Sequence, residues 1–435
     1  MYKLVELEKN EYENFVKPNK YKSHFLQSYC WGEFVKKTRG LTPYFVGLKK
    51  NNKVVAASLL LQKHLPFGYS YFYAPRGFVL NYEDAEIFET MTKECIKFVK
   101  AKKGIFLKID PDIIRKSYNY LDEENSLSYD PDKIFKMIQN AGFKHLGFTK
   151  NFETTNPRYS FRIDLTKDIN IIEDHFSKTT KQRIKKAEKL NTIVKIGSEK
   201  DIDTFYNLMM LTEDRKDFVS YKKDYYSTLY KMFNKDNKMT LFLGIVNLED
   251  ILNNLSKQKE ELNNKLNDIP QENLSKSAKN KLKELTRQLD KVNDDIKKYN
   301  NYKKEYGKEI TLNAHMIIEY GNKAWVLYAG NHNILSETYS NYKTYQAHLE
   351  YCKKRGLEIY DQFGTIGDLR KDNPRLGLHE FKKKFGGDYV EFLGEFDYIT
   401  NKLMYFTFTK LVPIYRKIVK NRSKKVLKNE VKGNK

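Results

Sequence analysis

Cysteine, tryptophan and long apolar runs are all scarce in this 435-residue chain. The three cysteines, Cys30, Cys95 and Cys352, are widely spaced and fall in no ligand motif, which argues against a disulfide framework and a cysteine metal site. No run of about 20 uncharged apolar residues occurs, so no membrane-spanning helix is expected. Residues 1–9 lack the apolar core of a signal peptide, which reads as a cytoplasmic protein. The strings G-x-x-x-x-G-K-[ST], G-x-G-x-x-G and G-x-S-x-G are missing, against P-loop, dinucleotide and nucleophile-elbow chemistry. The histidines never fall at H-E-x-x-H spacing, so His332, His348 and His379 read as structural and no metal is expected.

Basic charge, by contrast, is abundant: 79 Lys and Arg against 56 Asp and Glu, a formal net charge of +23, favours polyanionic partners. Hydrophobic residues at 40% and aromatics at 14% supply a sizeable core, and the length suits two or three domains rather than one.

Runs at 44–48, 54–61 and 69–73 are β-branched or aromatic and bounded by Asn, Gly or Pro, and read as strands, with a hairpin turn at 50–53. A helix over 83–102 leads to a buried strand at 105–109, closed by Asp110 and Pro111. The same order recurs: strands at 161–165, 241–246, 315–320, 324–328 and 357–361, and helices over 171–190, 200–216 and 342–355. This is a mixed α/β layout in which two copies of one architecture are plausible.

Residues 248–302 interrupt two strands that would otherwise be neighbours. Leu248, Leu252, Leu255, Leu262, Leu266 and Ile269, with Lys259 as the one polar entry, alternate at spacings of four and three, and Leu282, Leu285, Leu289, Val292 and Ile296 repeat the pattern beyond Pro270. Two such stripes joined by a short turn predict an antiparallel coiled-coil hairpin. One long helix would leave both stripes wet, at about 1.5–3 kcal/mol for each leucine. Near the end, an apolar, aromatic segment at 403–408 precedes nine basic residues and one acid between 416 and 435. That pattern fits an anionic membrane surface or, alternatively, a final core helix with a solvated end.

Several segments, in order, carry a family resemblance. Gln27, Ser28, Trp31 and Gly32, with Lys36 and Lys37 following, resemble a Q-S-x-x-W-G-x-x-K entry segment. Tyr73, Pro75, Arg76 and Gly77 resemble a Y-x-P-R-G-P turn, with Phe78 in place of the last Pro. Asp110 and Pro111 end a strand, and 178–189 resembles the basic helix K-x-R-x-x-I-R-K-A-E-K. Tyr328 to Gly330, Tyr360 to Gly364 and Phe381 to Gly387 resemble Y-x-x-G, Y-D-x-x-G and F-K-x-x-F-G segments. Together they are similar to the FemABX family of tRNA-dependent transferases that build peptidoglycan interpeptide bridges.

The resemblance implies two GNAT-like acyltransferase domains with the hairpin inserted in the second. Residues 1–150 plus 396–435 would form the first, 151–247 plus 303–395 the second, and 248–302 the arm. It also implies the partners: aminoacyl-tRNA as donor, a lipid-linked precursor (lipid II) as acceptor, an anionic membrane at the inner face of the cell, and homo- or hetero-association with sibling transferases. No cofactor is implied. Asp110 would be the general base or amine-positioning carboxylate, and Lys382 would support the tetrahedral intermediate and the tRNA 3′ end, with Lys383 and Lys384 making that assignment ambiguous. Lys36 or Lys37, with Arg215, would hold the pyrophosphate, and Arg76, Tyr225, Tyr328 and Phe381 would complete the substrate site. Lys178, Lys181, Arg183, Lys185, Lys186 and Lys383 would track tRNA phosphates without reading bases. Two alternatives stay open: an acyl-CoA-type N-acyltransferase, against which the absence of a Q/R-x-x-G-x-G/A pyrophosphate loop counts, and a non-catalytic RNA- or membrane-binding coiled-coil protein.

Overall fold

A computed structural model describes residues 1–18, 23–216, 220–270 and 275–411, and of 214–216 the backbone alone. The Arg215 side chain, the middle of the expected turn after Pro270 and the basic tail lie outside the described residues. In chain order the strands are β1 (Tyr2–Glu6), β2 (Thr42–Lys50), β3 (Lys53–His64), β4 (Ser70–Ala74), β5 (Gly104–Ile109), β6 (Ile114–Tyr118), β7 (Phe143–His145), β8 (Tyr159–Asp164), β9 (Thr192–Gly197), β10 (Met239–Asn247), β11 (Glu309–Tyr320), β12 (Lys323–Asn331), β13 (Ile359–Asp361), β14 (Asp388–Phe392) and β15 (Phe396–Ile399). They form two sheets, ordered β1-β2-β3-β4-β5-β15-β7 and β6-β14-β8-β13-β12-β11-β10-β9.

Each sheet repeats one unit. In the first, β4 and β5 are parallel and joined across the helix Ala85–Ala101; in the second, β12 and β13 are parallel and joined across Ser340–Lys354. Local chemistry sets the elements. Asn51 and Asn52 both take positive φ, 50° and 63°, as a two-residue hairpin of this hand requires. Asp84 caps its helix by accepting from Ile87 N at 3.0 Å, and Gly40, at φ 61°, ends the helix Tyr29–Arg39 where a side chain would be strained.

Two sequence expectations change. The helix expected over 171–190 is two helices, Ile169–Asp174 and Lys178–Lys189, because Ser177 caps the second through Thr180 N and Phe176 turns into the core. The strand β6 falls within the 1–150 segment yet pairs with β14 in the second sheet, so the chain crosses between sheets earlier than expected. The crossings at 110–113 and 393–395 lie side by side, tied by a hydrogen bond from Leu393 N to Ile113 O.

The inserted segment forms the helices Leu248–Asn267 and Lys276–Tyr306, and its flanking strands β10 and β11 pair antiparallel. At the root, Leu248 and Ile251 cluster with Tyr299, and Lys303 pairs with Glu249 at 3.1 Å. Farther out, Leu262 and Ile269 cluster with Leu285 and Val292. The two helices therefore run antiparallel. Leu262→Ala is expected to loosen the arm by about 2–3 kcal/mol, since the outer cluster is small and lacks neighbours to refill the space. Hydrogen exchange should quicken across 255–300 and stay unchanged in β10 and β11; equal quickening in both would mean that the arm and the sheet unfold as one unit.

Candidate active site at the crossing between the sheets

Where β5 ends, Asp110 is 2% exposed and sits at the step from one sheet to the other. Its Oδ1 accepts from Arg76 N at 2.7 Å and its Oδ2 from Asn156 Nδ2 at 2.9 Å. The same Asn156 nitrogen donates to the Tyr73 hydroxyl at 2.6 Å. The Arg76 guanidinium stands 4.0 Å from the carboxylate, donates to Pro157 O at 2.6 Å and lies over the Phe392 ring. Burial pushes the Asp110 pKa up to about 6, against the pull of Arg76 and of the Asn156 hydrogen bond. A carboxyl poised there changes protonation near neutrality, as a group that takes and returns a proton should.

Two residues on, Asp112 anchors an ion network between the sheets. Arg162 Nη2 donates to Asp112 Oδ1 at 2.7 Å and its Nε to Asp361 Oδ2 at 2.8 Å, while Lys323 stands 3.6 Å from Asp112. Burial alone would raise Asp112, but Arg162, Lys323, His24 and Arg76 together hold it well below the usual carboxylate range. Asp361 also accepts from Ser160 Oγ and, at 2.8 Å, from Phe363 N.

The segment 362–364 is gripped from the other side by Lys382. Its ammonium is buried and donates to the carbonyls of Gln362, Phe363 and Gly364 at 2.6, 2.9 and 2.6 Å. Burial pushes the Lys382 pKa down to about 7, with Asp361 pulling it back up. Only the charged form has three N–H groups for three carbonyls. The segment needs holding: Phe363 takes φ 46°, and Gly364, at φ 84°, lies where a Cβ would come 2.9 Å from Pro157. The Arg76 contact to Pro157 thus links the Asp110 corner to the Lys382 cage.

A second locus lies beside the helix Tyr29–Arg39. Arg39 Nη2 donates to the hydroxyls of Tyr221 and Tyr225 at 2.8 Å each, and Tyr225 and Tyr328 hydroxyls lie 3.2 Å apart. Among the described residues this solvent-facing guanidinium has no acidic partner. An aromatic chain joins the loci: Arg39 covers Trp31, which contacts Phe25, which contacts Phe363. Lys36 is on the same helix, three residues before Arg39, with a side chain 60% exposed and 3.8 Å from Glu33. Lys37 is exposed as well.

Thus Asp110, Arg76 and Lys382 come together at the crossing, and Tyr225 and Tyr328 at the second locus. The others are placed differently. Phe381 packs half-buried among Tyr342, Tyr345 and Phe385. On Lys178–Lys189, Lys178, Lys185 and Lys186 are exposed, Lys181 pairs with Asp174 at 3.0 Å, and Arg183 donates to the Tyr342 hydroxyl. Lys383 is held by Asp122 at 2.6 Å. Sequence reasoning passed over Asn156, Arg162, Asp112 and Arg39. Asp361 lay inside a quoted motif, and Arg39 sits one turn beyond Lys36, which is the signal that could have found it. Among the described residues no group of three or more His, Cys, Asp or Glu is placed to hold a metal ion, and no helix is long and apolar enough to cross a membrane.

Comparison with known proteins covers almost the whole chain. The FemAB family matches residues 7–412. The aminoacyltransferase FemA of Staphylococcus epidermidis is 29% identical over 415 residues, spanning 93% of this chain and 97% of that protein. FemA of Staphylococcus aureus is 28% identical over 427 residues, spanning 96% and 100%. The crystal structure of FemX superposes with a TM-score of 0.74 over 93% of this chain and 98% of its own, at 24% identity, and so shares the fold.

Proposed function

The chain belongs to the FemAB family and is an aminoacyltransferase, and from that premise we propose that it transfers an amino acid from aminoacyl-tRNA to the side-chain amine of the stem peptide, or of the growing bridge, of a lipid-linked peptidoglycan precursor. The observation that carries the chemistry is the buried Asp110, poised near pH 6 beside Arg76. The acceptor amine attacks the ester carbonyl of the charged tRNA. A C–N bond forms, the carbonyl electrons move to an oxyanion, and their return expels the ribose oxygen. The amine's proton passes to Asp110 and is returned to that oxygen. Because the ester is already activated, positioning carries much of the rate and no cofactor is required.

Lys36 or Lys37, together with Arg215, holds the acceptor pyrophosphate, and the exposed lysines of Lys178–Lys189 contact the tRNA backbone. Tyr225 and Tyr328 line the acceptor's path. The lipid anchor of the acceptor keeps the enzyme peripheral, at the inner face of an anionic membrane, where sibling transferases acting on the same bridge would meet it. Arg39→Ala is expected to raise KM for the precursor about tenfold with kcat little changed, because it removes a guanidinium and frees the two tyrosine hydroxyls it orients. An unchanged KM would place Arg39 and the two tyrosines it orients outside the acceptor site. The donor is tested by supplying charged tRNA or acyl-CoA in parallel. Transfer abolished by ribonuclease and unsupported by acyl-CoA is expected; acyl-CoA-dependent transfer would replace this reading with its chief rival.

A further inference from the structure

One face of the first sheet carries apolar side chains turned to solvent beside lysines. Phe67, in the connection between β3 and β4, is 91% exposed. A cleft of about 360 Å³ joins it to Lys100, Lys103, Thr400 and Asn401, so the segment that follows, 402–411, starts on the same face. That segment is anchored by its inner side. Tyr405 and Phe408 meet the Phe106 ring at 5.4 and 6.2 Å, Phe408 meets Tyr71 at 5.4 Å, and the Tyr405 hydroxyl donates to Asp397 at 2.8 Å. With those rings turned inward, Leu403 and Phe406 are left 74% and 54% exposed, and Leu411 is exposed beyond them.

The charge on this face has one sign. The stretches 63–70, 100–104 and 400–411 contain Lys63, Lys100, Lys102, Lys103, Lys402 and Lys410 and no Asp or Glu. An apolar protein partner would be matched by the rings alone, and a second copy would bring the same cations face to face. Exposed Phe and Leu ringed by Lys instead match the boundary between acyl chains and anionic headgroups, where rings insert and ammonium groups stay at the phosphate level. We propose that this face, formed by Phe67, Leu403, Phe406 and Leu411 with Lys100, Lys103, Lys402 and Lys410, docks on an anionic phospholipid surface. It gives the peripheral location proposed above a defined surface and orients the first sheet toward the bilayer, whichever amino acid the enzyme transfers.

Flotation of the full chain with vesicles tests this without acceptor or tRNA, so the result stands apart from the proposed reaction. Binding is expected to vesicles of phosphatidylcholine with phosphatidylglycerol, and to be weak to phosphatidylcholine alone. The triple change Phe67→Ser, Leu403→Ser, Phe406→Ser should weaken binding roughly tenfold or more, as loss of the inserting groups requires. The separate set Lys100→Glu, Lys103→Glu, Lys402→Glu should weaken it similarly at low salt, and by less as salt screens the wild type. All six positions are solvent-exposed, so both proteins should melt as the wild type does. Wild-type binding by both variants, or equal binding to neutral vesicles, would overturn the proposal. So would a wild-type dimer in sedimentation that the serine variant dissolves, with no flotation, since a second copy would then cover the face.

Discussion

Asp110→Asn is expected to cut kcat by roughly 10²- to 10⁴-fold, the usual worth of a positioned proton acceptor, while leaving the protein at least as stable at pH 7.5. The two halves of this expectation share one cause. Burial raises the Asp110 pKa from 3.8 to about 6. Between those values the folded state holds a proton that the unfolded state has released, so stability falls as pH rises through that window. Above pH 6 the ionised carboxylate costs the fold roughly 3 kcal/mol relative to its neutral form, and asparagine resembles the neutral form. The wild-type rate should rise with pH through about 6 and fall again above about 7, as Lys382 loses the proton its cage needs, whereas the Asp110→Asn residual rate should lack the acid limb. A variant as active as wild type would leave Asp110 as a strand-ending cap and nothing more. A variant that keeps the limb but loses stability would make its hydrogen bonds to Arg76 N and Asn156 structural.

Lys382→Met is expected to abolish detectable transfer and to lower the melting temperature by about 3–10 °C, a drop that corresponds to about 3–9 kcal/mol in a chain of 435 residues. The reason is the carbonyl cage. Removing the ammonium leaves Gln362, Phe363 and Gly364 carbonyls without their donor. A buried group stripped of its partner costs about 1–3 kcal/mol, and three are stripped at once. Phe363 and Gly364 then lose the restraint on their positive φ, and Phe363 no longer holds Phe25 and the aromatic chain toward Arg39. Hydrogen exchange at 362–365 should quicken most. If transfer is lost with the melting temperature and exchange unchanged, Lys382 acts on the reacting ester directly, as the family resemblance implied, and the cage opens during turnover.

These two residues also show what a sequence can and cannot carry. The place of Asp110 at a strand end was legible because a strand pattern ran into Asp-Pro, a purely local signal, whereas its role came only from the family resemblance. The arm was legible for the same reason: its leucines repeat at heptad spacing, and both helices and the pairing of β10 with β11 follow from that. The strand–helix–strand repeat was visible in its periodicities. Partner choice was not. Nothing in residues 114–118 says that they pair with β14 rather than with β5, because strand pairing is decided by the tertiary neighbours. Lys382 read as one of three adjacent lysines, and only the fold turns its side chain inward onto residues 362–364 while Lys383 turns to Asp122. The Asp112–Arg162–Asp361 network spans 250 positions of sequence in three residues, so no window could contain it.

The most direct measurement is the mass of the acceptor after incubation of the purified enzyme with lipid-linked precursor and a mixed pool of charged tRNAs. A stem peptide heavier by one aminoacyl residue (Gly, Ser, Ala or Thr), attached through its side-chain amine and absent from the Asp110→Asn reaction, is the predicted result. A precursor that returns unchanged in mass from every pool, with the enzyme folded, would contradict the account.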